Sequence, residues 1–157
     1  MTVIDDLAAD VGVSVPTIRR AVEIGLIRGT RPSPRKLEVP LAERVYVRRY
    51  WPLLSDLRRH LRTEKSVRVA VLFGSTARGS AGEDSDIDLA VLLDVDRPSA
   101  RLALQARLAE KLGRRVQVTD MRDARASAAL WNGIREDGRV LANRDNVDWL
   151  RVRARRT

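Results

Sequence analysis

Apolar residues recur along this chain at two spacings, and the change between them separates a helical first third from a mixed remainder. Ile4, Leu7, Ala8 and Val11 fall on one helical face, and Gly12 closes that pattern as a left-handed turn residue does. Ser14 is placed to cap a second helix. Pro16 falls in that helix's first turn, where a missing N–H is no loss, and Val15, Ile18 and Val22 form its buried stripe. Gly25 and Gly29 bracket its end. The segment RGTRPSPRKLEV then alternates at Leu37 and Val39 and reads as a basic wing-like loop or a flexible basic linker. From Leu41 to Leu61 a longer helical pattern sets Tyr50, Leu54, Leu57 and Leu61 on one face, and Pro52 predicts a break or kink in it.

The period changes at Val67. Val67, Val69, Val71 and Phe73 interleave with Arg68, Ala70 and Leu72, which predicts a strand that becomes buried on both faces and ends at Gly74. A short helix through Thr76, Ala77 and Arg78 follows, ended by Gly79 and Gly82. IDLAVLL, opened by Asp86 and Asp88, predicts a second strand. Ser99 to Leu112 carries Leu102, Ala106, Leu108, Ala109 and Leu112 at helical spacing and stops at Gly113. A third strand is expected from Arg115 to Thr119, and an amphipathic helix from Ala124 to Arg135 with Ala128, Leu130, Trp131 and Ile134. GRVLANRD closes the domain, and RVRARRT reads as a mobile basic tail.

Two features of the central stretch carry chemistry. A Gly-Ser turn leading into a helix, here Gly74 and Ser75, leaves backbone N–H groups free and lets a phosphate approach closely. Asp86 and Asp88 are one residue apart in a strand, so both carboxylates project from one face, about 6–7 Å apart along the chain. Such a pair is unfavourable unless a cation lies between its members. Mg²⁺ suits it, being hard, oxygen-seeking and content with one or two carboxylates plus substrate phosphates. Loop and dyad together describe a site that binds a nucleoside triphosphate and aligns it for attack at phosphorus.

Gly74, Ser75, a ten-residue gap and Asp86-Ile87-Asp88, embedded as LFGSTARGSAGEDSDIDLAVLL, resemble the signature of the minimal nucleotidyltransferases of the DNA polymerase β superfamily. The likeness covers about residues 66 to 143. It implies a short mixed β-sheet with helices on one side, and transfer of a nucleoside monophosphate from a triphosphate, ATP in the first instance, to a hydroxyl. Carried over, Gly74 and Ser75 hold the triphosphate, and Asp86 and Asp88 are the catalytic, Mg²⁺-binding pair. Arg78 is a further phosphate contact or else a salt-bridge arginine. In the family the third strand presents another carboxylate, which binds metal and can take the proton of the attacking hydroxyl. In GRRVQVTDM the matching position is Gln117, whose amide carries no charge and is no base near neutral pH. Asp120, three positions on, points to the opposite face of an extended strand, and Asp123 lies beyond it. Turnover and retention of the fold alone are therefore both open.

Charge changes the picture at the N-terminus. Of the net +9, residues 1–65 hold 13 Lys/Arg against 8 Asp/Glu, residues 66–150 hold 13 of each, and the tail from Arg151 holds four cations and no acid. A basic segment joined to a neutral domain suggests nucleic acid, or else an arginine-rich solvated surface. Together with LAADVGVSVPTIRRAVEIGLIRG, which resembles a helix-turn-helix, it favours DNA. Thr17, Arg19 and Arg20 would face the major groove, and Arg28, Arg31, Arg35 and Lys36 would contact phosphates. A helical hairpin that merely packs is the competing reading.

The expectation is an α+β chain: a winged-helix-like DNA-binding domain over 1–40, a helical connector over 41–65, a nucleotidyltransferase domain over 66–145 and a basic tail over 146–157. Small nucleotidyltransferases of this kind resemble the antitoxin partners of HEPN-type toxins, which implies a partner toxin, although some relatives act as toxins; the helix-turn-helix reading adds a homodimer and DNA binding at the chain's own operator. With no cysteine, no membrane-length apolar run and an acidic, amphipathic N-terminus, cytoplasmic residence is expected and a membrane partner is not.

Overall fold

A computed structural model describes residues 2–82 and 84–155. The chain divides into two compact units, residues 1–55 and 56–157. Each is considered by itself.

The first unit opens with α1 (Val3–Val11), capped by a reciprocal box in which the Thr2 hydroxyl accepts from the Asp5 N–H and Asp5 accepts from the Thr2 N–H. Gly12, at φ 76°, ends it in a left-handed turn. Ser14 caps α2 (Val15–Ile24) through the Thr17 N–H, with Pro16 in the first turn as the sequence predicts. The hydrophobic stripes meet: Ile4, Leu7 and Ala8 from α1, and Ile18 and Ala21 from α2, are buried, while Val15 and Val22 are only partly so. The basic segment is a two-stranded antiparallel ribbon, β1 (Thr30–Ser33) and β2 (Lys36–Glu38), with Thr30 opposite Glu38.

The helix α3 (Leu41–Arg62) then runs through both units without a break. Of the break or kink expected at Pro52, the break does not occur. Pro52 deprives the carbonyl of Arg48 of its donor, but both residues are on the exposed side, where water can take the donor's place. Tyr46 and Tyr50 stack at 4.6 Å between ring centroids and, with Trp51, are buried, so these aromatics pack rather than present free rings.

The second unit is built on a mixed sheet. Its strands are β3 (Val67–Phe73), β4 (Ile87–Leu93), β5 (Val116–Asp120) and β6 (Arg139–Asn143), in the order β5-β4-β3-β6. β3 is antiparallel to both β4 and β6, and β4 is parallel to β5. Val69, Ala70, Val71 and Leu72 are all fully buried, as the double-faced apolar pattern requires.

The helices differ in detail from expectation. Between β3 and β4 lies α4 (Gly74–Arg78). The crossover helix α5 (Pro98–Leu112) buries Leu104 and Leu108 and leaves Leu102 half exposed, so its inward face is rotated from the one predicted. Its Arg101 and Gln105 satisfy the Val118 carbonyl and N–H on β5, which blunts a sheet edge. The single helix expected from Ala124 is instead two, α6 (Met121–Ala124) and α7 (Ala128–Asp137), each with its own side-chain cap, Asp120 and Ser127. Met121, Ala124, Trp131 and Ile134 from these helices pack on Val69, Val71, Ala90, Leu92 and Val140. Of the tail expected to be mobile, residues 151–155 fold back, and its last two residues lie outside the described ones. Val147, Trp149 and Val152 lie against that core, and Arg155 pairs with Asp96, Asp120 and Asp123.

Candidate active site

The end of β3 and the beginning of β4 form one site because they are neighbours in the sheet, Phe73 lying opposite Asp88. The chain leaves β3 by turning sharply at Gly74, which adopts φ +75°, a conformation that L side chains rarely take. Space demands glycine there as well: a Cβ on Gly74 would stand 2.5 Å from Asp88 Oδ2. Loop and carboxylate are thus pressed together, so whatever occupies one meets the other. Phe73 offers no side-chain cap to the first turn of α4, where Ser75 is half-buried.

Asp86 and Asp88 flank Ile87, which is buried on the opposite face, so both carboxylates emerge on one side as the spacing predicts. Partial burial, and then the neighbouring Asp86 charge, push the Asp88 carboxyl above the usual aspartate range, with Arg78 opposing them. Asp86 Oδ1 is closed off from solvent and makes no hydrogen bond. A cation stands beside it, Arg115, whose Nε lies 2.9 Å away without the alignment of a hydrogen bond. An orphaned carboxylate oxygen beside a carboxyl held above its normal range is what a cation between them would relieve. The residues therefore fit a hard divalent ion held by Asp86 and Asp88. Among the described residues no cluster of three His, Cys, Asp or Glu exists, so the remaining ligands would come from substrate phosphates and water.

The third strand behaves as its sequence implies. Gln117 is paired in register with Asp88 and is exposed, so the position facing the dyad holds an amide. Asp120 is buried and committed elsewhere: its Oδ1 accepts from the Arg122 N–H at the start of α6, and its Oδ2 pairs with Arg155 at 3.1 Å. Asp123 also pairs with Arg155. Neither offers the missing charge.

Arg78 is held by Asp137 at 2.9 Å. Three arginines carry weight that the sequence reading missed. Arg139, only 2% exposed, donates from Nε to the Ala77 carbonyl at 2.8 Å and so ties α4 to β6. Arg114 and Arg115 donate to the carbonyls of Ser85 and Asp84, gripping the approach to the dyad from the start of β5. The paired arginines in GRRV were the available signal, since cations beside a strand that faces two aspartates have an obvious destination.

In the first unit, Arg20, Arg28, Arg31, Arg35 and Lys36 are exposed, and Thr17 and Arg19 half-exposed. Thr17 shares a 2.9 Å hydrogen bond with the Ser14 hydroxyl, Arg31 pairs with Glu23 at 2.8 Å, and Lys36 pairs with Glu38 at 3.1 Å. Arg19, Arg35 and Lys36 border one cavity of about 630 Å³, floored by Ile4, Val15 and Val39.

Among known proteins, the family described as Polymerase beta, Nucleotidyltransferase matches residues 55–147, more than half of the chain. A crystal structure of a toxin–antitoxin with AMP-PNP is similar at 31% identity over 59% of this chain and 74% of that one, with a TM-score of 0.50. A mutant of the toxin–antitoxin MntA-HpeT is similar at 28% identity over 62% and 80%, with a TM-score of 0.52. A tri-AMPylated Shewanella oneidensis HEPN toxin in complex with its MNT antitoxin is matched at 28% identity over 59% and 71%, with a TM-score of 0.46. No curated protein sequence matches significantly.

Proposed function

The chain belongs to the polymerase β nucleotidyltransferase family, and from that premise we propose that it is the antitoxin of a toxin–antitoxin pair which transfers a nucleoside monophosphate from a triphosphate to a hydroxyl. The observation that carries this reading is the close approach of Gly74 to Asp88, beside the orphaned oxygen of Asp86. Gly74 and Ser75 hold the triphosphate through the backbone N–H groups at the head of α4. Asp86 and Asp88 hold Mg²⁺, which when bound neutralises phosphate charge and polarises the phosphorus under attack. Arg139 keeps α4 in place, and Arg78, restrained by Asp137, tempers the charge at Asp88.

Gln117 gives the acceptor hydroxyl no base, so its proton passes to water or to substrate. The slow turnover this entails suits a single modification of a partner better than a metabolic flux. The solved relatives include a toxin–antitoxin with AMP-PNP, which makes ATP the first nucleotide to try and the cognate toxin the first acceptor. Incubation with labelled triphosphates, Mg²⁺ and the toxin should label the toxin. Labelling that persists with Asp86→Ala would refute the role of the dyad.

The first unit is read as a winged helix that brings this domain to its own operator. Support comes from the left-handed turn at Gly12 between two capped helices, from the basic ribbon, and from the exposure of Arg20, Arg28, Arg31, Arg35 and Lys36. Thr17, Arg19 and Arg20 would meet bases in the major groove and the others phosphates, as a homodimer on a palindrome. Promoter binding should weaken steeply with salt and be lost in Arg19→Ala/Arg20→Ala. Its absence at low salt would remove the reading.

A second reading rests on Gln117: a DNA-binding regulator in which the transferase fold binds nucleotide without turnover. Nucleotide binding with no labelled product under any acceptor would favour it.

A further inference from the structure

We propose that Arg115 is a counter-ion built into this site, which competes with the divalent cation for Asp86 and, once displaced, meets the triphosphate. This rests on the metal and nucleotide reading given above and extends it to a residue that reading does not use.

Arg115 immediately precedes β5 and lies two positions from Gln117, so on an extended chain the two side chains share a face. Gln117 is registered against Asp88 and Arg115 reaches Asp86, at 2.9 Å from Nε to Oδ1. The edge of the site that would otherwise bear a third acid therefore presents an amide and a cation. The guanidinium is poised rather than locked. Its Nη2 donates to the Asp84 carbonyl at 3.1 Å, its Nε misses hydrogen-bond alignment with Asp86, and the side chain is 78% exposed.

An ion pair so exposed contributes little to holding a fold. Its effect is local, on the charge of the site. Among the described residues the acids facing the site are Asp86 and Asp88, and the cations near them are Arg78, Arg115 and, at the Ser85 carbonyl, Arg114. Arg78 divides its charge between Asp137 and Asp88, whereas Arg115 is paired directly with Asp86. A divalent ion arriving at Asp86 meets a positive charge already there, and removing that charge should raise metal affinity about fivefold at moderate salt. The displaced guanidinium stays tethered at the Asp84–Asp86 end of the dyad, and its planar fork of donors matches the oxygens of a phosphate brought there by the metal. One residue thus makes the free site reluctant toward metal alone and receptive to metal with nucleotide.

The two halves of this role have opposite signs, and a merely structural role does not. Full-length protein would be titrated with Mn²⁺ and the free ion followed by electron paramagnetic resonance, and AMP-PNP would be titrated calorimetrically at saturating Mg²⁺. For Arg115→Ala we expect Mn²⁺ to bind about fivefold more tightly and AMP-PNP at least about fivefold more weakly, with Arg115→Lys between variant and parent on both. Weakening of both ligands would assign Arg115 to clamping the loop at Asp84 and overturn the proposal. Unchanged affinities in a parent that binds both ligands would overturn it while leaving the site reading intact. A parent that binds neither Mn²⁺ nor AMP-PNP would bring down the site reading and the proposal together. Arg115 is exposed, so the variant should fold, and circular dichroism checks that it has.

Discussion

Gly74→Ala is the sharpest single perturbation of this site. A methyl group there has two consequences of different kinds. The backbone at φ +75° becomes a left-handed L-residue, which costs about 1–2 kcal/mol. The new Cβ would also lie 2.5 Å from Asp88 Oδ2 and 3.4 Å from Asp88 Cγ, so the carboxylate must turn away. Displacing a side chain from its rotamer adds about 0.5–1.5 kcal/mol. The sum is about 2–3 kcal/mol, which for a unit of this size lowers Tm by roughly 10 °C or more. Binding should suffer more than stability, because the carboxylate that moves is one of the proposed metal ligands.

Urea denaturation and Mn²⁺ titration would be run on Gly74→Ala, Asp88→Ala and the double variant. In the Asp88→Ala background only the backbone cost should remain, so the two substitutions should couple by about 1 kcal/mol. A Gly74→Ala protein with parental stability and Mn²⁺ affinity would refute the reasoning. So would a loss of the same size in both backgrounds, since the contact with Asp88 would then carry nothing.

Three further outcomes follow from the packing. Arg139→Met should cost about 2–3 kcal/mol in urea unfolding, because it leaves the Ala77 carbonyl without its buried donor, and a change below about 0.5 kcal/mol would mean that α4 is held otherwise. Asp88→Asn should raise the metal-free Tm at pH 7. The carboxyl is pushed above 3.8 in the folded state, so its charge opposes folding fully above the raised value and not at all below 3.8; the gain should fade as pH falls toward 3, and a gain independent of pH would refute the assignment. Arg155→Ala should cost no more than about 1 kcal/mol, since the guanidinium is about a third exposed, yet should speed amide exchange across 147–155 by releasing the segment from Asp96, Asp120 and Asp123. Parental exchange rates there would show that Val147, Trp149 and Val152 anchor it unaided.

The parts of the fold that were legible in the sequence are those whose signals are local. β3, α4 and β4 follow from alternation punctuated by glycine, and the α1–α2 turn from Gly12 and Ser14 with a proline behind it. The division between α6 and α7 was missed because Asp120 drew notice as a possible acid, whereas its position just ahead of a helical turn marks it as a cap; Ser127 is a second cap of the same kind. The inward face of α5 was misread because alanines made a broad stripe in which Leu104 did not stand out. Arg139 was out of reach for a different reason. Its burial depends on a carbonyl 62 residues earlier, and no periodicity encodes a partner that distant. Arg115 lies between these cases, since its charge was visible and its partner was not.

Register gives the site a property that loops rarely have. Gly74 follows the last residue of β3, and Asp88 lies opposite that residue on β4, so the distance between phosphate loop and dyad is fixed by the rungs of a ladder. Asp84 and Ser85, in the connection between α4 and β4, are gripped by Arg115 and Arg114, but the spacing is set by the ladder. Residues added to or removed from that connection should leave the spacing unchanged, whereas slippage of one rung would turn Asp86 and Asp88 to the other face and abolish the site at a stroke. The site should accordingly open and close with the sheet as a whole, and have the sheet's lifetime.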